Sequence, residues 1–245
     1  MTPEQVERYA RHLVLKEIGG SGQNALLASR VTLVGAGGLG GPAALYLAAA
    51  GVGEISLIDD DVVSLSNLQR QIQFNTEDVG RPKVDVLADR LRQLSPELSI
   101  HAIQSRLISE NAETLLQNCD LILDGTDSFA TRFAVNDAAL KLGVPLISGA
   151  VGRFDAQVGV FGPPGACYRC LVPDIPPQEE RCSEVGVVGA LTGIAGSVMA
   201  MEAIKHIASA GATLAGRLWV YDSLTAESRT IKLTRDPKCA ACGLH

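Results

Sequence analysis

The sequence predicts an α/β fold: a Rossmann-like, mostly parallel sheet with helices on both faces and an antiparallel C-terminal extension. Three observations predict it. Short apolar runs alternate with helical patterns from Val31 onward, and a Gly-rich turn follows the first of these runs. After about Gly149, strand-like runs follow one another with a single long helix among them. Strand–helix alternation is typical of parallel strands, and the change of rhythm favours antiparallel pairing in the second part.

The chain begins with a predicted helix. Thr2 is suited to the N-cap, Pro3 to the first helical position, and Gln5 completes a capping box. Apolar residues then recur at helical spacing from Val6 to Leu13. This helix would present a basic face formed by its arginines.

The remaining elements follow from apolar periodicity and from Gly and Pro boundaries. Strands are predicted at Val31–Val34, Glu54–Ile58, Ser99–Ile103, Asp120–Leu123, Pro145–Ser148, Gln157–Phe161, Leu218–Tyr221 and Ser228–Leu233. Helices are predicted at Leu39–Ala50, Arg81–Leu94 and Gly193–Ala208, with further helices between the strands of the first part.

Composition and charge narrow the class of protein. The 245 residues are 47% apolar, which allows a sizeable core. The net charge of −6 argues against a nucleic-acid-binding surface. No run reaches the roughly 18 apolar residues of a membrane span, and the first residues lack the pattern of a signal peptide. We therefore expect a cytoplasmic protein with neither membrane nor nucleic-acid partners.

The Gly-rich turn predicts a nucleotide site. Gly35-x-Gly37-x-x-Gly40, with Gly38 inside it, follows a strand and opens a helix, which is the context that dinucleotide binding requires. Asp59 ends the next strand, where a carboxylate can bind ribose hydroxyls. These residues do not separate NAD from ATP, and a tight helix–strand junction without a ligand would also explain the glycines.

Two cations favour ATP. Arg70 lies in the polar stretch Ser64–Gln71, and Lys83 lies near the start of the next helix. Together they can neutralise a triphosphate, whereas hydride transfer needs no such pair. Either one alone would more often be a solvated surface residue.

A later strand ends in a further acidic group. Asp127 follows the apolar run that ends near Asp124, at a position where ligands bind in open α/β sheets. Its carboxylate is suited to Mg²⁺. The simpler interpretation, Asp127 as the N-cap of the helix that begins near Phe129, is equally compatible with the sequence.

Six cysteines divide into three groups. Cys167, Cys170, Cys239 and Cys242 form two Cys-x-x-Cys pairs, which predict a closed, structural zinc site of four thiolates. Cys119 is interpreted as a half-buried structural thiol. Cys182 lies in a charged loop, where an exposed thiol can act as a nucleophile, although neighbouring carboxylates would raise its pKa.

These motifs, in this order, resemble the MoeB/ThiF family, the bacterial relatives of ubiquitin-activating enzymes, over nearly the whole chain. The resemblance rests on the string from Gly35 through Gln71, on Arg81–Pro82–Lys83, on Asp124-x-Thr126–Asp127 and on both cysteine pairs. It implies adenylation, with ATP and Mg²⁺, of the C-terminal carboxylate of a ubiquitin-fold sulfur carrier ending in Gly-Gly. The chain is then a single adenylating domain, residues 1–245. Its parts are an N-terminal helical arm (1–30), an ATP-binding, Rossmann-like part (31–150) and a carrier-binding, zinc-containing part (151–245).

The resemblance also implies roles for individual residues. The catalytic set is Arg11, Arg70, Lys83, Asp127 and Cys182, with Arg11 reaching into the site of a neighbouring subunit in a homodimer. The nucleotide-binding set is Gly35, Gly37, Gly38, Gly40, Asp59, Asp61, Ser66, Asn67, Leu68, Gln69, Arg70, Lys83, Asp127 and Ser128. Ser128 stands where the family usually has Asn, which puts an amide contact to the nucleotide in doubt.

Several alternatives stay open at this point. The molybdopterin-synthase small subunit is the favoured carrier, with the thiamin sulfur carrier and a covalent role for Cys182 as the alternative. We expect a separate sulfur donor, either a cysteine desulfurase or a rhodanese-like protein. A tRNA-modifying adenylating relative, an NAD-dependent oxidoreductase and a non-catalytic zinc-stabilised binding module are the remaining hypotheses.

Overall fold

Eight strands form one mixed sheet in the computed structural model, which describes residues 1–175 and 186–243. In chain order the strands are β1 (Arg30–Val34), β2 (Glu54–Ile58), β3 (Ser99–Ile103), β4 (Leu121–Asp124), β5 (Leu146–Gly152), β6 (Asp155–Phe161), β7 (Arg217–Asp222) and β8 (Glu227–Lys232). Their order across the sheet is β3-β2-β1-β4-β5-β6-β7-β8. The first five are parallel, and β6, β7 and β8 pair antiparallel to their neighbours. The predicted fold class is therefore confirmed.

The α-helices connect or flank these strands. They are α1 (Pro3–Arg8), α2 (Ala10–Leu13), α3 (Gly19–Ala28), α4 (Gly40–Ala50), α5 (Lys83–Leu94), α6 (Ala112–Leu116), α7 (Phe129–Leu142), α8 (Tyr168–Leu171) and α9 (Gly189–Ala208). Short 3₁₀ turns lie at Leu65–Asn67 and Thr76–Asp78. None of the helices in the described parts of the chain has the length and apolar character needed to cross a membrane.

Two hydrophobic cores lie on opposite faces of the sheet. Alternate strand residues such as Val31 and Leu33 pack under α4, α5 and α9, whereas Val34 and Ile122 face α6 and α7. The second core reaches β2 and β3 only at their last residues, Ile58 and Ile103, and leaves the rest of that face open. There Thr32, together with polar side chains of β2 and β3, lines an open groove of about 610 Å³.

The N-terminal arm differs in part from its prediction. The capping box of Thr2 and Gln5 is present, but the helix is interrupted at Tyr9, which separates α1 from α2. Of the predicted apolar face, Tyr9 is buried while Val6 is largely exposed. The Tyr9 ring packs over Gly51, where an added Cβ would lie 2.6 Å from its Cζ. This tertiary contact, rather than helical periodicity, determines which arm residue is buried.

The boundaries of three elements also differ. Strand β5 runs to Gly152, beyond the predicted end at Ser148, because its second half pairs with β6. Helix α9 begins at Gly189 rather than at Gly193. Helix α3 lies within the predicted helical arm (1–30), but its own bounds were not predicted, since its glycines disfavour a helix. It forms because Gly22 allows close packing against Ile18 and Ala208.

Candidate active site

An open cleft of about 640 Å³ lies beyond the carboxyl ends of β1, β2 and β4. The strand order reverses between β1 and β4, because chain connections run from β1 toward β3 on one side and from β4 toward β5 on the other. Such a reversal leaves a crevice in which ligands of α/β sheets bind. Gly35, Gly37 and Gly38 form one wall of this cleft.

Glycines in the turn have two different roles. Gly35 has φ +91°, a conformation that L side chains rarely adopt. Gly40 does not line the cleft, and an added Cβ there would lie 1.8 Å from the carbonyl oxygen of Gly35. Gly40 therefore permits the close packing of the turn on α4, and of the glycines predicted to bind phosphate, Gly35, Gly37 and Gly38 line the cleft.

Gln73 holds the turn from beneath. Its Nε2 donates hydrogen bonds to the carbonyl oxygens of Ala36 (2.9 Å) and Gly37 (3.0 Å). The side chain is buried and packs over Gly41, whose added Cβ would lie 2.2–2.4 Å from the carboxamide atoms. Because both carbonyl oxygens accept hydrogen bonds from Gln73, they repel an anion at the turn less strongly.

Asp59 is tied to the same turn. Its Oδ2 accepts a hydrogen bond from the Ala36 amide at 2.7 Å, and its Oδ1 accepts one from the Asp61 amide at 2.8 Å. Burial raises the pKa of Asp59, and the Asp61 charge adds to this rise, while Lys83 and the two amide donors oppose it. The carboxylate stands on the cleft wall, at the position where the sequence predicted a ribose ligand.

Lys83 and Asp61 form an ion pair at the cleft. The Lys83 Nζ lies 2.7 Å from the Asp61 Oδ2, and the lysine side chain is only 5% exposed while that of the aspartate is 66% exposed. The Lys83 amide also donates to the Asp61 carbonyl oxygen at 3.0 Å. A buried ammonium group thus borders the cleft with an exposed counter-ion, so anionic ligands can compete for it.

The polar loop contributes fewer residues than the sequence predicted. Asn67 and Arg70 line the cleft, and the Arg70 Nη1 donates to the Ser66 carbonyl oxygen at 3.1 Å. Ser66, Leu68 and Gln69 do not line it. They belong to the turn that presents Asn67 and Arg70.

The structure decides which residue caps α7. The N-cap of α7 is Ser128, whose Oγ accepts a hydrogen bond from the Thr131 amide at 3.5 Å. Asp127 is therefore not the cap. Its carboxylate is exposed on the cleft wall and forms no hydrogen bond or ion pair with any residue in the described ranges. It is free to hold a cation there.

A buried polar cluster beneath Asp127 escaped the sequence analysis. The Arg132 guanidinium donates to the carbonyl oxygens of Thr126 and Gly149 and to the Ser148 hydroxyl. Ser148 in turn donates to the buried Asp124 carboxylate at 2.9 Å. Burial would lower the pKa of Arg132, but Asp124 and neighbouring groups outweigh it and raise that pKa. The cluster fixes the loop that carries Asp127.

The four predicted metal-binding cysteines lie together, with all sulfur atoms within 4.8 Å of one another. The Sγ–Sγ distances are 3.9 Å for Cys167–Cys170, 3.6 Å for Cys167–Cys239 and 3.4 Å for Cys170–Cys242. None of them forms a disulfide. A tetrahedral ion with Zn–S bonds near 2.3 Å requires edges of about 3.8 Å, so this donor set fits zinc.

Two predicted catalytic residues are not part of this cleft. Arg11 is exposed on α2 and does not line it. Cys182 lies outside the described residues. Cys119 is buried rather than half-buried, and its thiol donates to the Leu116 carbonyl oxygen.

The chain is similar to known proteins in sequence and in fold. A model of the ThiF family matches residues 9–241. A sulfur carrier protein adenylyltransferase from Thermus thermophilus is 46% identical over 250 residues, with 99% of this chain and 92% of the relative covered. The sulfur carrier protein ThiS adenylyltransferase of Escherichia coli is 45% identical, with 99% and 97% covered. MoeZ of Mycobacterium tuberculosis, a probable adenylyltransferase/sulfurtransferase, is 46% identical over 97% of this chain and 62% of its own length.

Among solved structures, E. coli MccB superimposes with a TM-score of 0.87 at 23% identity, covering 100% of this chain and 74% of MccB. This similarity supports the fold alone.

Proposed function

This chain belongs to the ThiF family, and from that premise we propose that it is an adenylyltransferase that activates the C-terminal carboxylate of a sulfur carrier protein with ATP. The observation that carries the proposal is the convergence of Lys83, Arg70 and the free Asp127 on the Gly-rich turn. Lys83 and Arg70 would have no role in a hydride-transferring enzyme. The NAD alternative is therefore less favoured.

The reaction needs positioned charge more than acid–base chemistry. An oxygen of the carrier's terminal carboxylate attacks the α-phosphorus of ATP, the bond from that phosphorus to the bridging oxygen breaks, and pyrophosphate leaves with the bond electrons. The carboxylate is already ionised near neutral pH, so no general base is required. Lys83, Arg70 and the amides of Gly37 and Gly38 offset the repulsion between the two anions.

The site residues fit the cations that this chemistry uses. Asp127 would hold Mg²⁺, since its carboxylate is an oxygen donor free of other partners and on the cleft wall. When bound, Mg²⁺ neutralises charge on the phosphates. Zn²⁺ would occupy the cluster of Cys167, Cys170, Cys239 and Cys242 and serve structure rather than chemistry, because all four positions are filled by protein ligands.

The carrier and the other partners belong to the same proposal. We favour the molybdopterin-synthase small subunit, with the thiamin carrier as second candidate because the E. coli relative is named for ThiS. A separate cysteine desulfurase or rhodanese-like protein would supply sulfur. A homodimer would bring Arg11 of one subunit to the phosphates of the other, which agrees with its exposure on α2 away from its own cleft. The cytoplasmic location stays a prediction.

The test is ATP–pyrophosphate exchange with purified protein, alone and with each candidate carrier. We expect exchange with one carrier only, abolished when its terminal glycine is deleted. Lack of exchange with every Gly-Gly carrier, by protein that is folded and contains zinc, would contradict the proposal. ATP-dependent labelling of tRNA would then favour the tRNA-modifying alternative.

A further inference from the structure

Gln71 is a buried polar residue that no part of the mechanism above uses. Its side chain is 4% exposed and lines the cleft beside the Gly-rich turn. Its Nε2 packs over Gly37, at 3.4 Å from the position a Cβ would take there. Its Oε1 is fully buried without a hydrogen-bond partner, and no residue in the described ranges bonds to either end of the carboxamide.

The donor groups beside Gln71 are already engaged, whereas the Oε1 of Gln73, like that of Gln71, is buried without a partner. The Gln73 amide donates to the carbonyl oxygens of Ala36 and Gly37. The Thr192 hydroxyl, next to Gly38, is directed at the carbonyl oxygens of Gly189 and Arg70. An unpaired carboxamide in this place costs folding free energy, and native proteins rarely keep one without a reason.

We infer that Gln71 is a further ligand-binding residue of the nucleotide site and donates its Nε2–H to a phosphate oxygen of ATP. The inference rests on the cleft being the nucleotide site of the proposed function. A phosphate at the turn lies near Gly37 and Gly38, which is where the Gln71 amide is held. Lys83 and Arg70 supply charge in the same cleft, whereas Gln71 supplies a neutral, rigidly placed donor.

The unpartnered Nε2–H of Gln71 is a donor, so its partner in the cleft is an acceptor such as an oxyanion, and the buried Oε1 stays unpaired in this contact. Two oxyanions meet in this cleft, a phosphate of the nucleotide and the carboxylate of the carrier tail. The contact with Gly37 favours the phosphate, because glycines of such turns are where backbone and phosphate approach each other. The two sources differ in a measurable way, since only the phosphate contact exists in the absence of carrier.

The experiment measures ATP binding by calorimetry, without carrier, for the full chain with its metal and for Gln71→Met. Methionine keeps the length of the side chain and removes the amide. We expect the Kd for ATP to rise about tenfold, as for the loss of a hydrogen bond to a charged group. The melting temperature should stay the same or rise, because an unpaired buried group has been removed. Gln71→Glu should weaken binding further, by charge repulsion.

Gln104→Met is the matched control, since Gln104 is exposed on the loop after β3 and does not line the cleft. A Kd for Gln71→Met within twofold of the parent would overturn the inference. So would an unchanged ATP Kd together with a raised KM for the carrier, which would assign the amide to the carboxylate. Exchange activity of the unmodified chain tests the proposed function separately. Absence of exchange with normal ATP binding would refute that function and leave the Gln71 assignment intact.

Discussion

At the scale of single residues, the Gly-rich turn shows how one sequence motif combines two physical demands. Gly37 and Gly38 leave backbone amides open to the cleft, whereas Gly40 permits a backbone contact that any Cβ would block. The motif identified all of these positions, but it did not distinguish glycines that line the cleft from packing glycines. That distinction requires the distance from Gly40 to the Gly35 carbonyl.

Substitution of Gly40 should therefore damage stability before it affects a ligand. The Cβ of Gly40→Ala would overlap the Gly35 carbonyl oxygen, and such overpacking against backbone costs about 1–3 kcal/mol of unfolding free energy. Urea unfolding without nucleotide measures it. Gly20→Ala is the matched control, because Gly20 lies in α3 with no atom near its Cβ position, and alanine should stabilise that helix slightly. Equal stability of the two variants would be incompatible with the packing role.

The site residues predicted from the sequence share one property: the residues next to them in the chain indicate their position and chemistry. Asp59 at a strand end and Lys83 at a helix start are such cases. Gln71, Gln73 and Arg132 had no comparable signal, because glutamine and arginine are common on surfaces. Their roles come from burial and from partners distant in sequence, 37 residues away in the case of Gln73 and Ala36.

At the scale of elements, the first cysteine pair is attached to the helix that borders the cleft. The Tyr168 amide donates to the Asn136 Oδ1 at 2.7 Å, and Arg169 forms a bidentate ion pair with Asp137. The Arg169 guanidinium also lies 4.0 Å from the Phe133 ring centroid. These contacts join α8 to α7. The cysteine cluster therefore links the C-terminal segment to α7, the helix that follows Asp127.

Removal of one thiolate should release the metal and weaken the link between the C-terminal segment and α7. Cys170→Ser is expected to lose bound zinc, measured by mass spectrometry of the purified protein, and to lower the melting temperature by at least about 5 °C, because structural zinc contributes directly to folding. Cys119→Ser is the control, since that buried thiol lies outside the cluster. Full zinc retention in Cys170→Ser, or a zinc-free parent protein, would contradict the four-thiolate site.

Element types were predicted better than element limits. Short apolar runs predicted the strands, yet β5 extends past Ser148 because β6 pairs along its whole length. Helix α9 begins four residues early because Gly189 packs against the backbone of Gln69 and Arg70. These boundaries depend on partners, which no local pattern contains.

At the scale of the whole molecule, the surface where α9 packs on α4 exposes large apolar side chains. Helix α9 packs on α4, and each of them leaves a large apolar side chain uncovered: Met201 is 56% exposed on α9 and Tyr46 is 57% exposed on α4. The small residues of α9 face in two directions. Ala200 and Ala203 are buried within the chain, whereas Gly193 has open space at its Cβ position.

The proposed homodimer would cover this surface, and a charge placed there should prevent it. Met201→Arg is expected to shift the protein from dimer to monomer in sedimentation equilibrium, because burying an unpaired guanidinium is costly. The control is Leu224→Arg, a similar change at an exposed turn between β7 and β8. A parent protein that is monomeric at micromolar concentration, or an unaffected dimer, would argue against this interface.

By itself, the sequence determined the class of fold, the position of the nucleotide turn and the grouping of four cysteines. Each of these follows from short-range patterns: short apolar runs alternating with helical ones, glycines between a strand and a helix, and Cys-x-x-Cys. Only the tertiary structure decided that Asp127 is free because Ser128 caps α7, and that Gln73 holds the turn while Gln71 is left unpaired. The physical reason is that burial and hydrogen-bond satisfaction depend on segments far apart in the chain, which meet only when the sheet has formed.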